Sequence, residues 1–242
     1  MLYTIDIGNS NIEIARHLDP VETFRFETVK NRSSDEYYQR FKELLTECDQ
    51  VVISNVVPAL TPTFETLFER YYKISPIFVG PGVKTGVKLP VTNPKEVGAD
   101  LVSAAAGALT YGSKRAIIID MGTATTVSLV EDGALRGVSI MIGLDTARSC
   151  LVERASQLSE FSFVIPPSPL GDSTVTALNA GFLYGHAYQI IGFVDALKTG
   201  ATDVFVTGGA MRLIGSLLPG SYRQDPLLIH WGLKRMAESN KR

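Results

Sequence analysis

The stretch Leu2-Tyr-Thr-Ile-Asp-Ile-Gly-Asn-Ser-Asn11 decides how the chain is read. Four mostly apolar, β-prone residues predict a buried strand that ends on Asp6, just before Gly8. A carboxylate inside a sheet is expensive unless it is paired or holds a metal. Gly8 lets the chain turn where a Cβ would clash, and lets backbone N–H groups approach a ligand. Asn9, Ser10 and Asn11 add three short polar side chains at the same turn. An acid followed by a glycine-polar turn suits a metal-bound phosphate chain; the same residues also suit an ordinary Asp-Gly β-turn.

The pattern recurs at Ala116-Ile-Ile-Ile-Asp-Met-Gly-Thr-Ala-Thr-Thr126: apolar strand, Asp120, one apolar residue, Gly122, small hydroxyl residues. Setting Asp6 on Asp120 also aligns the hairpins beyond each glycine turn. Strands over 12–17 and 21–26 flank Asp19-Pro20, and strands over 125–131 and 134–141 flank Asp132-Gly133. Recurrence of a whole five-element opening near half the chain length predicts two related domains. The polar, glycine-containing stretch Gly112 to Arg115 is the junction, giving domains over 1–114 and 115–242.

Composition excludes several classes. The chain is 45% hydrophobic and 20% charged with a net charge of −2, so nothing points to nucleic acid. No apolar run approaches the roughly 18–20 residues that span a bilayer. Asp6 interrupts what would have to be a signal peptide. Cys48 and Cys150 have no metal-ligand or redox spacing, so both are expected as buried reduced thiols in a cytoplasmic protein. His17, His186 and His230 lack metal-like spacing and are taken as structural. No nucleophile elbow supports a hydrolase, and the Gly80–Gly86 loop lacks the Gly-Lys-Ser/Thr ending of a P-loop.

Between the openings, Ser33 to Asp49 is predicted as an amphipathic helix with a Ser33/Glu36 capping box. Strands follow at 50–54 and 77–79, with a helix over 61–72 between them, an alternation that implies parallel pairing. Gly80-Pro-Gly-Val-Lys-Thr-Gly86 is a loop. Asn93 then caps a helix running from Pro94 through Tyr111. Its small residues, Gly98, Ala99 and Ser103 to Ala108, predict close backbone approach in a cleft between the domains. Asp100, in the middle of that helix, is either functional or a solvated helix-face aspartate. Later, 145–160 is helical and 161–172 irregular. A long helix covers 173–198, with glycines at 181, 185 and 192 as candidate breaks. A strand over 203–207 ends in Gly208-Gly209, which admits a flat ring or phosphate or simply makes a tight turn. The tail from Leu227 is read as a strand and a last helix, with Trp231 at their junction.

Taken in order, these features resemble the superfamily of acetate and sugar kinases, heat-shock chaperones and actin. The fold that this implies is α/β: two ribonuclease-H-like domains, each a mixed sheet flanked by helices, with a nucleotide cleft between them. Within that superfamily the chain resembles the type III pantothenate kinases from end to end. The matching stretches are Asp6-Ile-Gly-Asn-Ser-Asn11, Gly80-Pro-Gly-Val-Lys-Thr-Gly86, Asn93-Pro-Lys-Glu-Val-Gly-Ala-Asp100 and Asp120-Met-Gly-Thr-Ala-Thr-Thr126. Gly171-Asp-Ser-Thr174 with Ala180-Gly181, and Thr207-Gly-Gly209, complete the set.

The resemblance implies ATP-dependent phosphorylation of pantothenate to 4′-phosphopantothenate, the first step of coenzyme A biosynthesis. It implies that Asp6, Gly8, Asn9, Ser10 and Asn11 hold the ATP phosphates and Mg²⁺, and that Asp100 is the general base. By the same resemblance Asp120 holds a monovalent cation, K⁺ or NH₄⁺. Thr123 contacts ATP, and Gly208 and Gly209 lie by the adenosine. Val91, Gly98, Ala99 and Leu101 border the acceptor, and Thr174 reaches it from the partner subunit of a homodimer. The chain departs from the family pattern at several points. Leu101 replaces an arginine expected to meet the acceptor carboxylate, and Val91 replaces an aromatic residue. Ser10 stands for threonine, Glu13 for a basic residue, and Ile142-Gly143 for Pro-Gly. Lys84, Lys88 and Lys95 are either substitute cations or solvated surface. Two alternatives stand beside pantothenate phosphorylation: a kinase of the same fold with an altered acceptor, or a nucleotide-binding accessory protein without turnover.

Overall fold

The computed structural model describes every residue except Ser156, Gln157, Ser159 and Arg242. It divides into two compact units, Met1–Gly112 with Leu227–Arg242, and Ser113–Pro226.

The first unit opens with β1 (Leu2–Ile7), β2 (Asn11–Arg16) and β3 (Glu22–Glu27), an antiparallel meander. The turn between β2 and β3 carries a cis Asp19–Pro20 peptide bond. Helix α1 (Ser34–Phe41) follows with the expected capping box: the Ser33 hydroxyl accepts the Glu36 N–H while the Glu36 carboxylate accepts the Ser33 N–H. It stops eight residues short of the predicted end, and Glu47 turns the chain with a positive φ of 52°. Strand β4 (Gln50–Asn55) lies parallel to β1, and α2 (Thr61–Leu67) crosses to β5 (Ile77–Phe78), parallel to β4. The sheet order is β3-β2-β1-β4-β5. Strand alternation puts Tyr3, Ile5 and Ile7 on one face, packed with Tyr37, Phe41, Phe64, Leu67 and Phe68.

The predicted helix from Pro94 is two elements. Pro94–Glu96 is a single 3₁₀ turn, Val97 is extended, and α3 runs over Ala99–Thr110 with Gly98 as its N-cap. The Asn93 amide caps nothing and instead donates to Glu96 Oε1 at 2.6 Å. The consequence is chemical: Asp100 stands in the first turn of α3, not in its middle.

The second unit repeats the first. Its strands β6 (Arg115–Met121), β7 (Ala124–Glu131) and β8 (Ala134–Ile142) form an antiparallel meander, interrupted by a bulge at Leu129/Val130. Helix α4 (Leu144–Arg154) ends before the predicted helix does, and positions 156, 157 and 159 of that prediction lie outside the described residues. The predicted long helix is broken as its glycines suggest. It comprises α5 (Thr174–Asn179), a wide turn over Ala180–Tyr184, and α6 (Gly185–Leu197). Strand β9 (Asp203–Thr207) is parallel to β6, the short α7 (Met211–Ile214) follows, and β10 (Arg223–Gln224) is parallel to β9. The order β8-β7-β6-β9-β10 reproduces the first sheet strand for strand. The core lies between this sheet and α6 and α7, with Ile117, Ile119, Val204 and Val206 facing Ala187, Ile190, Val194 and Ile214.

The tail corrects the sequence reading. Residues from Leu227 pack with the first unit, not with the second in which the 115–242 boundary puts them. Leu227 leads directly into α8 (Leu228–Ser239) instead of into the expected strand, and Trp231 lies within that helix, 6.0 Å from the His17 ring. Helix α8 lies against α3 and against the face of β1 and β4 opposite the core. Small residues make the contact with α3 possible. A Cβ added at Gly232 would overlap the Ser103 carbonyl oxygen, and one added at Gly107 would overlap that of Leu228. The small residues of α3, which the sequence reading gave to an inter-domain cleft, make their close backbone contact with α8 inside one unit. Beneath α8, the Thr4 hydroxyl bridges His17 Nε2 at 2.9 Å and His230 Nδ1 at 2.8 Å. Cys48 is a half-buried free thiol pushed up to about 12 by burial, whereas Cys150 is exposed on α4 rather than buried.

Candidate active site

In the first unit the residues of interest gather at one end of the sheet. Asp6 is the penultimate residue of β1, on the face opposite the core, with Glu13 as its register partner in β2 and Ser54 in β4. Arg25 in β3 is the register partner of Glu13 and pairs with its carboxylate at 3.6 Å. One row across four strands thus reads Arg25, Glu13, Asp6, Ser54. Glu13 stands beside Asp6 without adding an uncompensated charge, because Arg25 offsets it.

The turn after Asp6 is tight. The Gly8 N–H donates to the Asn11 carbonyl at 2.9 Å, and a Cβ at Gly8 would press on that oxygen at 3.1 Å. Asn9 and Ser10 are exposed at the tip. The turn is braced from behind by Thr28, whose hydroxyl donates to the Gly8 carbonyl at 2.7 Å and whose N–H donates to that of Ser10 at 3.0 Å.

Helix α3 delivers Asp100 to the same end of the sheet. The Val56 N–H donates to the Ile7 carbonyl at 3.0 Å, so the residue just past β4 closes onto the end of β1. The position of a Cβ on Gly98 lies 3.6 Å from Val56 Cγ1 and in overlap with Asp100 Oδ1. Asp100 Oδ1 accepts the Leu101 N–H at 2.7 Å, one of the donors that a helix start leaves unused. Burial raises the Asp100 carboxyl above the ordinary range, against the lowering effect of that N–H. A raised but still ionisable carboxylate is what proton abstraction at neutral pH requires. Leu101 and Val91 are both half-buried, Leu101 on α3 and Val91 in the irregular segment before Pro94. The Lys84, Lys88 and Lys95 side chains are exposed.

The second unit carries the related arrangement. Asp120 is the penultimate residue of β6, with Thr126 and Thr207 as its register partners in β7 and β9. Gly208 follows with a φ of +89°, and a Cβ there would lie 2.5 Å from both Asp120 Oδ1 and Met121 N. Only glycine keeps that space beside the carboxylate clear. The Thr126 hydroxyl is buried with no hydrogen-bond partner among the described residues. A carboxylate, a buried hydroxyl without a partner and a cradle that a methyl would fill together fit a cation bound through oxygen. Ser54 likewise has a buried hydroxyl without a hydrogen-bond partner among the described residues, next to Asp6. Thr123 is exposed, and its carbonyl accepts the Gly143 N–H at 3.2 Å and the Thr146 hydroxyl at 2.8 Å. Gly209 is exposed beyond Gly208. Thr174 opens α5 at a cavity of about 630 Å³ lined by Ile142, Leu144, Leu178 and Phe182.

The model of the family described as type III pantothenate kinase matches residues 2–196. The chain belongs to that family. A type III pantothenate kinase from a Geobacillus strain is 36% identical over 260 residues, covering 99% of this chain and 98% of its own. Membership makes the chain an ATP-dependent kinase that phosphorylates pantothenate for coenzyme A synthesis. Two crystal structures show the fold. A Campylobacter jejuni protein described as of the Baf family of transcriptional activators is 20% identical, covers 98% of each chain and has a TM-score of 0.67. A Sinorhizobium meliloti protein described as a 2-dehydro-3-deoxygalactonokinase is 11% identical, covers 99% of each chain and has a TM-score of 0.60. The duplicated α/β fold of the sugar kinases is therefore the fold of this chain.

The sequence reading found both acids of the two strand ends but missed Ser54. The signal was present, since Ser54 in β4 stands in register with Asp6 as Thr207 in β9 does with Asp120, and aligning the two acids aligns these hydroxyls as well.

Proposed function

We propose that Asp100 is the general base of the kinase, taking the proton from the attacking hydroxyl of pantothenate as the γ-phosphoryl group of ATP is transferred. The observation that carries this reading is its placement. A half-buried carboxylate of raised proton affinity stands at the start of α3, at the end of the sheet where β1 delivers Asp6. In such transfers the protein contributes positioning and charge neutralisation more than covalent chemistry, and a base adds about 10²–10⁴-fold.

Asp6 with the Gly8–Asn11 turn holds the ATP phosphates and their Mg²⁺, the metal supplying charge neutralisation when bound. Asp120 with the Thr126 hydroxyl holds a monovalent cation, K⁺ or NH₄⁺. Thr123 meets ATP, and Gly208 and Gly209 leave room for the adenosine. Val91, Gly98, Ala99 and Leu101 border the acceptor.

The chain acts as a homodimer whose Thr174 reaches the acceptor of the partner subunit. In support, Ile142, which lines the Thr174 cavity, and Ile140, Leu170, Val175 and Tyr188 are exposed apolar side chains of the second unit. We place the protein in the cytoplasm; its two cysteines are free, and among the described residues no helix is long and apolar enough to cross a membrane.

The test is an ADP-release assay with pantothenate, ATP, Mg²⁺ and K⁺ on the wild type and Asp100→Asn. Pantothenate-dependent ADP formation in the wild type should fall at least about a hundredfold in the variant. Retained turnover in Asp100→Asn would remove the base assignment.

A further inference from the structure

The segment that leads into the acceptor border is seated on the end of α8 by one side chain. Asn240, the residue after α8, accepts the Lys84 N–H through Oδ1 at 3.0 Å and donates through Nδ2 to the Lys84 carbonyl at 3.0 Å. The same Nδ2 donates to the Met236 carbonyl at 2.9 Å, which ties the amide to its own helix. One amide thus pairs with both backbone groups of a single residue, as a neighbouring β-strand would.

Two residues on, Gly86 has a φ of +72°, and the Arg235 guanidinium lies 3.2 Å from where a Cβ would stand. Between them Thr85 closes its own turn, its hydroxyl accepting the Val87 N–H at 3.1 Å. The start of the loop is fixed on β4, where the Val79 N–H donates to the Ile53 carbonyl at 2.8 Å. Its far end is fixed at Gly98, the N-cap of α3. The chain from Val87 to Val97, with Val91 midway, therefore spans two anchors, one on α8 and one on α3. Those helices are themselves locked together at Gly107 and Gly232.

We propose that Asn240 is a positioning residue for the acceptor: by seating Lys84 on α8 it fixes where the Val91 segment stands relative to Asp100. The proposal rests on the acceptor border assigned above, and it assigns a role to a helix outside the residues 2–196 that the family model matches. Asn240 lies at the far end of α8 from Leu228, and its amide is committed to backbone groups, so it acts through the loop and not on substrate. Loosening one anchor enlarges the set of loop conformations that pantothenate must select from. That weakens acceptor binding and leaves the step after binding unchanged.

The experiment combines steady-state kinetics with amide hydrogen exchange on the full chain, for the wild type, Asn240→Ala and Gly86→Ala. The second variant disturbs the same seat from the loop side, through a φ that a side chain tolerates poorly. Both should raise the KM for pantothenate about tenfold, on the scale of two lost hydrogen bonds. KM for ATP and kcat should stay within about twofold, and the amides of 84–97 should exchange faster. An unchanged pantothenate KM, a parallel rise in KM for ATP, a fall in kcat or unchanged exchange would each overturn the proposal. Asp100→Asn measured alongside separates the two ideas. If it retains turnover, the base assignment fails, whatever Asn240→Ala does.

Discussion

Replacing Gly232 by alanine tests the contact that holds α3, and with it Asp100, in place. The added Cβ would overlap the Ser103 carbonyl oxygen, approach Ser103 C at 2.9 Å and approach Gly107 N at 2.8 Å. All three are backbone atoms of α3, so no rotamer change relieves the clash. Carbon contacts settle near 3.5–4.0 Å, so the helices must part by roughly 1 Å. Overpacking of this kind costs about 1–3 kcal/mol, and the better helix propensity of alanine returns at most about 1 kcal/mol. A net loss of about 1–2 kcal/mol lowers Tm by roughly 2–8 °C in a chain of this size. Gly192 in α6 is the internal control, since a Cβ there meets nothing within 4 Å. Gly192→Ala should raise Tm by about 1–4 °C through propensity alone. Gly107→Ala attacks the same crossing, so its double variant with Gly232→Ala should lose less than the two single losses added together. Thermal unfolding of the four variants decides it. A Tm for Gly232→Ala at or above that of the wild type, or strict additivity with Gly107→Ala, would refute a backbone-to-backbone contact between α3 and α8.

Asp100→Asn should gain thermal stability at neutral pH while losing turnover. The carboxyl is raised in the folded chain, so its ionised form opposes folding above the unfolded pKa, and the neutral amide removes that cost. For the same reason the acid limb of kcat should lie above the ordinary carboxylate range in the wild type. Gly208→Ala should abolish activation by K⁺, because its methyl falls 2.5 Å from Asp120 Oδ1; an unaltered K⁺ titration counts against the cation site. Burial holds His17 down to about 4 and His230 to about 3. Both lie below the unfolded value, so their contribution is present above about pH 6.5 and is lost as pH falls towards 4 and 3. Urea midpoints should therefore drop below pH 6, more through the fully buried His230 than through the half-buried His17, and Thr4→Val should lower them at every pH. Leu101→Arg should lower the KM for pantothenate about tenfold by supplying a cation beside Asp100, with kcat little changed.

The strand ends were legible because their signals are local. An apolar run closing on Asp-x-Gly marks the end of β1 and of β6 without reference to any distant residue, and the aligned hairpins that follow mark the duplication. Three features were not legible, each because its cause lies elsewhere in the chain. Asn93-Pro94 is a sound helix-start signal, yet it starts one 3₁₀ turn, and Val97 is extended so that Gly98 can close against Val56. The alanine-rich face of α3 fits any close partner, and nothing before Gly232 says that the partner is α8. The tail was given to the second domain by sequence order, whereas the buried Thr4–His230 bond draws it back to β1, 226 residues away.

The duplicated scaffold also bears on the proposal that one chain holds two different cations. Each sheet places its acid in the same row, yet the flanking residues differ. Asp6 lies between Glu13 and Ser54, and Asp120 between Thr126 and Thr207. The first row carries two carboxylates, with Arg25 drawn to the outer one; the second carries one carboxylate among hydroxyls. On the proposed roles, the row with the Glu13–Arg25 pair serves the divalent ion that arrives with ATP, and the row of one carboxylate among hydroxyls serves a monovalent ion. The ion pair makes Glu13 testable in its own right. Glu13→Gln leaves Arg25 without its partner 3.6 Å away and turns a cation towards Asp6. The Mg²⁺ requirement for ATP binding should then weaken while the K⁺ requirement stays as it was. A Glu13→Gln variant in which both requirements shift together would mean that the two rows do not act as separate sites.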